Sequence, residues 1–123
     1  MTMKRIRLEL ARDKEHPSGD SEHGYEFAAP LTDDGHLDAS EWRKEKERCR
    51  VKRFAPGEQS QLGLLMHGPG GSWYFDYDKS RTSDDEPGFK FSTHTFNPGD
   101  YVSVREHDGV LRTFRVARVS DLD

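Results

Sequence analysis

Seven side chains towards the end of this chain combine the groups that a seat for an anionic or planar ligand requires: His94, Phe96, Tyr101, Ser103, Arg105, Thr113 and Arg115. Guanidiniums hold carboxylate or phosphate through paired N–H donors. Hydroxyls fix orientation, and exposed rings offer a flat apolar surface. His94 is the member suited to act as general acid or base, with Arg105 or Arg115 holding an anionic substrate. The same set can also form an ordinary solvated sheet face, or one covered by the helix or a second subunit. That plainer reading carries more weight.

Other constellations are weaker. Cys49 lies between Arg48 and Arg50, the only support for a reactive thiol, so a buried idle thiol is expected. The six histidines (His16, His23, His36, His67, His94 and His107) never pair at i, i+2 or i, i+4. No local metal motif exists, although strands of a barrel can still bring separate ligands together, and no metal or cofactor is expected. The carboxylates at Asp33-Asp34, Asp76, Asp78 and Asp84-Asp85-Glu86 fall in hydrophilic segments, where solubility explains them. The Gly-rich run from His67 to Ser72 is followed by Trp-Tyr-Phe-Asp-Tyr. That is a strand, where a phosphate loop opens a helix.

Charge is segregated along the chain. Residues 1–12 are net +3, residues 13–41 net −8 and residues 42–53 net +5, within a total of −4. The basic run 42–53 could contact phosphates, but the acidic run beside it can neutralise it within the fold, so nucleic acid is not favoured as a partner. The absence of an 18-residue apolar run excludes a membrane-spanning helix. A single cysteine excludes a disulfide scaffold. The charged N-terminus lacks the apolar core of a signal peptide, so a cytoplasmic location is expected.

The elements that must position these groups are mostly strands. Residues 5–11 alternate apolar and charged, and Tyr25, Phe27 and Ala29 alternate in turn, each with the period of a half-buried strand. An antiparallel pair is predicted, its second strand stopped by Pro30. The segment from Asp38 to Arg48 is the one good helix candidate. Asp38 is placed to cap it, Glu41 stands three residues on, and Trp42 must anchor it. Residues 61–77 read as a hairpin with Gly68–Gly71 as its loop. This sets Met66 opposite Trp73, Leu64 opposite Phe75 and Leu62 opposite Tyr77 on one core face.

For the last hairpin, a two-residue Asp108-Gly109 turn would set Arg105 against Arg112, an unfavourable like-charge pair. A three-residue loop with Gly109 left-handed sets Val102 against Phe114, Val104 against Arg112 and Glu106 against Val110. Val102, Val104, Val110, Phe114 and Val116 then share one face, and Glu106 can reach Arg112. Asn97-Pro98-Gly99-Asp100 has the order of a type II turn, and is predicted to set Phe96 opposite Tyr101 and His94 opposite Ser103. These registers assemble the opening cluster on the outward face.

The stretches GYEFAAPL, DASEWRKEKERCRVKRF, PGGSWYFDY and DEPGFKFSTHTFNPGDYVSVREHDGVLRTFRV resemble a family of small uncharacterised bacterial all-β proteins with no assigned activity. The resemblance implies one complete domain and supplies no site residues.

The expectation is a single all-β domain over residues 1–123, with one short helix and about seven or eight strands in an antiparallel barrel or two-layer sandwich. The apolar fraction is only 32%, but thirteen aromatics compensate, since each ring buries a large area. The lean core leaves room for a homodimer. The expected role is a non-catalytic module that binds a protein or small anionic ligand. The alternatives are a small barrel enzyme using His94 and a nucleic-acid binder using residues 42–53.

Overall fold

The computed structural model describes residues 2–14, 16–67, 73–77, 95–106 and 110–122, with the side chains of Thr2 and Arg105 left outside the description. The elements are β1 (Thr2–Leu10), β2 (Asp20–Leu31), α1 (Ala39–Glu45), a 3-10 turn (Lys46–Arg48), β3 (Arg50–Phe54), β4 (Gln61–His67), β5 (Trp73–Asp76), β6 (Tyr101–Arg105) and β7 (Leu111–Asp121). All seven described strands join one sheet in the order β5-β4-β3-β2-β1-β7-β6, and every pairing is antiparallel. The sheet curls into a half-barrel. Register shifts interrupt the pairing of β1 with both neighbours: residues 21–23 of β2 are passed over between the partners of Glu9 and Leu10, and Ala117 of β7 between those of Arg7 and Leu8. Such unpaired extra residues bend and twist the ladder.

Strand alternation places the core on the inner face of the curl. Ile6, Leu8, Tyr25, Phe27, Val51, Leu65, Phe75, Val102, Val104, Phe114 and Val116 are all buried there. Tyr25 stacks on Phe75 with ring centroids 5.1 Å apart, and meets Phe114 edge-on at 5.2 Å. The helix forms as its residues dictate. The Asp38 carboxylate accepts the Glu41 amide at 3.1 Å, satisfying one unpaired N–H of the first turn. Trp42 is the buried residue of the helix, and its indole N–H donates to the Leu65 carbonyl at 2.9 Å.

Four local expectations are corrected. Pro30 lies inside β2, paired with Met3. Its carbonyl accepts the Asp38 amide at 3.0 Å, so its nitrogen faces the same side, away from β1. The β2–β3 pairing has already ended at Phe27, and the missing N–H removes no ladder bond. The β4–β5 hairpin is one residue out of the expected register: Leu65 faces Phe75 and His67 faces Trp73. Leu65 is therefore core, while Leu62 is 69% exposed. The consecutive leucines Leu64 and Leu65 satisfy the apolar pattern in either register, and the inner position opposite Trp73 is filled by the His67 ring, 4.4 Å away.

The third correction concerns Phe96. The Asn97–Asp100 turn forms as expected, with Gly99 at φ +94° and the Asp100 amide on the Asn97 carbonyl at 2.9 Å. Phe96 nevertheless lies outside the sheet: its amide donates to the Gly35 carbonyl at 2.8 Å, and the ring is fully buried against Phe27. Phe96 thus faces inwards, not across from Tyr101. The fourth is Val110, which is 45% exposed although it sits opposite Glu106, their backbones joined at 3.0 Å.

Leucine truncation distinguishes the two hairpin registers. Leu65→Ala is expected to cost about 2–5 kcal/mol, as a buried leucine does, and Leu62→Ala less than about 0.5 kcal/mol. Urea denaturation measures both; the reverse order would support the other register.

Candidate functional site

Two polar constellations stand out, one inside the curl and one outside it. The inner one surrounds Glu106, which follows β6 and has no exposed side-chain surface. Its carboxylate accepts from Tyr25 Oη at 2.5 Å, His23 Nε2 at 3.0 Å, Arg53 Nε at 3.1 Å and Arg112 Nη1 at 3.0 Å. The donors come from β2, β3 and β7, so the carboxylate reaches from one edge of the sheet to the strands beyond its centre. Burial alone would raise the pKa of Glu106. The hydrogen bonds from His23 and Tyr25 and the charge of Arg53 outweigh it, and hold the group down at about 2. An ionised carboxylate with four donors has no vacant lone pair to offer a substrate. This cluster is a clamp.

The outer constellation is a groove of about 940 Å³ beside β1, β7 and β6. The β6–β7 register places Tyr101 opposite Arg115 and Ser103 opposite Thr113, as the three-residue loop predicts; Gly109 itself is outside the described residues. Tyr101, Thr113 and Arg115 line the groove. Ser103 lies next to it, with its hydroxyl 3.4 Å from that of Thr113. The far wall comes from the β1–β2 connection, which contributes Arg12 and residues 18–21. The Ala11 amide donates to the Thr113 carbonyl at 3.0 Å, drawing this connection alongside β7. Gly19 completes the bend at φ +75°, where a Cβ would lie 2.7 Å from the Leu10 carbonyl oxygen. No other residue type fits there.

The charges in the groove are unequally engaged. Glu9 is held by Arg7 at 2.7 Å, and Asp20 accepts the Glu22 amide at 2.9 Å. Arg12 and Arg115 have no partner among the described residues. Tyr101 is 62% exposed. The groove therefore presents two uncommitted guanidiniums, an open ring and a hydroxyl pair.

Of the seven residues singled out from sequence, Tyr101, Ser103, Thr113 and Arg115 come together on the outer face. Phe96 is in the core, His94 lies outside the described residues, and Arg105 is placed by its backbone alone, opposite Leu111. Arg12 and the 18–21 wall were not legible, because nothing in the sequence pairs β1 with β7. His23, Tyr25 and Arg53 were missed as partners of Glu106 for the same reason, whereas Arg112 was found from the hairpin register. Cys49 is buried. Its thiol is pushed up to about 11, by burial first and then by the nearby Glu45 carboxylate, which leaves it unreactive at neutral pH. No group of three or more metal-ligating side chains occurs among the described residues, and no described helix is long and apolar enough to cross a membrane.

No known family, curated protein or solved structure matches this chain. The functional reading therefore rests on the site itself.

Glu106→Gln keeps the shape of the clamp and removes its charge. At neutral pH it is expected to cost about 3–5 kcal/mol, as loss of one partner from a buried ion pair does. The folded-state pKa of about 2 lies below the ordinary 4.5, so the ionic contribution is complete above about pH 4.5 and fades as pH falls towards 2. Denaturant titrations of both proteins across this range should show the stability gap narrowing with acid. A gap that stays constant would contradict the assigned ionisation.

Proposed function

We propose that this protein binds a small anionic ligand carrying a planar or apolar group, without turning it over, in the groove between the β1–β2 connection and β7. The observation that carries this reading is the pair of uncommitted guanidiniums, Arg12 and Arg115, beside the open ring of Tyr101. Guanidinium forks bind carboxylate or phosphate through two parallel N–H donors. The ring supplies a stacking surface, and Thr113 and Ser103 supply hydroxyls that can orient the ligand. The groove's two carboxylates are already engaged, Glu9 by Arg7 and Asp20 by the Glu22 amide, so its open groups are the cationic and hydroxyl ones that suit an anion.

Differential scanning fluorimetry against aromatic carboxylates and nucleoside monophosphates tests the proposal. A stabilising ligand is expected, and Arg12→Ala/Arg115→Ala should weaken its binding at least tenfold while leaving the unliganded melting temperature within a few degrees, since both side chains are exposed. Undiminished affinity in the double variant would overturn the assignment of the groove.

A further inference from the structure

The outer face of the sheet carries a second concentration of cations, on the other side of β1 from the groove. The two faces of each strand explain it. Inward residues of β1, β2 and β3 build the core, and their outward neighbours include Arg5, Ala28, Arg50 and Lys52. Arg5 pairs with Ala28 across β1 and β2, and Lys52 pairs with Glu26 across β2 and β3. Ala28 carries the smallest side chain of this set, so the taller residues on the two flanking strands leave a trough along β2. Its volume is about 290 Å³, and Arg48, Leu62 and Leu122 also line it.

We propose that this trough is a binding site for phosphate groups, with Arg5, Arg50 and Lys52 as its principal ligands. Four cations line it against one carboxylate, Glu26. That carboxylate is already shared between Arg7 at 3.5 Å and Arg118 at 3.4 Å, so it does not discharge the trough. Arg5 and Lys52 have no partner among the described residues. Arg50 donates from Nε to the Glu47 carbonyl at 3.4 Å, a neutral acceptor that leaves its charge uncompensated. Arg48 is held by Glu45 at 3.3 Å and contributes less.

Three uncompensated cations around one small volume exceed what a single carboxylate neutralises. They suit a phosphate, which carries about −1 with two free acceptor oxygens as a diester and about −1.5 to −2 with three as a terminal group. The basic segment 42–53 enters this site only through Arg48, Arg50 and Lys52. Its Arg53 points the other way, into the Glu106 clamp, and the site gains Arg5 from a strand far away in sequence. The trough shares no residue with the Arg12–Arg115 groove, so the two sites stand or fall separately.

Phosphate can come as a free anion or along a phosphodiester backbone, and two probes separate these sources. The full-length chain is titrated at low salt with pyrophosphate by calorimetry, and with a fluorescein-labelled oligothymidylate by anisotropy. Both should bind. Arg5→Ala/Lys52→Ala should weaken each at least tenfold, the comparison being made in an Arg12→Ala/Arg115→Ala background so that anions held by the groove do not contribute. Tighter binding of the oligonucleotide, with a log–log salt slope of about −2 for three phosphate contacts at about −0.7 each, assigns the backbone as the source. Tighter binding of pyrophosphate assigns the free anion. A thermal melt confirms that the trough variants fold, and Lys52→Arg, which keeps the charge, should retain binding. Failure of both probes to bind the unaltered protein, or full affinity in Arg5→Ala/Lys52→Ala, would overturn the proposal.

Discussion

The structure turns on a buried negative charge. Glu106 has no exposed side-chain surface, and an isolated carboxylate in such a place would cost several kcal/mol in lost hydration. Four donors offset that cost, and the strands they come from make the constraint global. Arg53 lies on β3 and Glu106 directly follows β6, with β2, β1 and β7 between them in the sheet order, yet their side chains are 3.1 Å apart. They can meet only if the sheet is curled. The bulges on β2 and β7, both against β1, allow the bend, and the clamp holds it.

Tyr25 couples this clamp to the apolar interior. Its ring packs between Phe75 and Phe114, and its hydroxyl donates to Glu106 at 2.5 Å. A lean composition therefore suffices, because rings from β2, β5 and β7 fill the space that aliphatic residues would otherwise occupy. Phe27 extends the cluster to Phe96, which ties the connection before β6 to the core. Once the inner face is committed in this way, the outer face carries the remaining charge. That is why both the Arg12–Arg115 groove and the Arg5–Arg50–Lys52 trough lie on the outside of the sheet.

What could be read in advance follows the range of the interactions. The β6–β7 register was legible because like charges at Arg105 and Arg112 disfavour the shorter loop, and it led directly to Glu106 with Arg112. The helix cap at Asp38, the Trp42 anchor and the Asn97–Asp100 turn were legible for equally local reasons. The β4–β5 register was not, because Leu64 and Leu65 make either face apolar and the choice depends on contacts remote in sequence, such as the Trp42 indole on the Leu65 carbonyl. Phe96 was misplaced because its partner, Gly35, is remote in sequence. The groove was half legible. Tyr101, Ser103, Thr113 and Arg115 follow from one hairpin, while Arg12 arrives only through the β1–β7 pairing between the two ends of the chain.

The central claim is that the Glu106–Arg53 contact couples the two sides of the half-barrel. A double-mutant cycle of Glu106→Gln and Arg53→Met, followed by urea denaturation at neutral pH, measures that coupling directly. The expected result is a coupling energy of about 1.5–3 kcal/mol, the upper part of the range for residues in one buried network. Additivity of the two single changes to within about 0.5 kcal/mol would contradict the account.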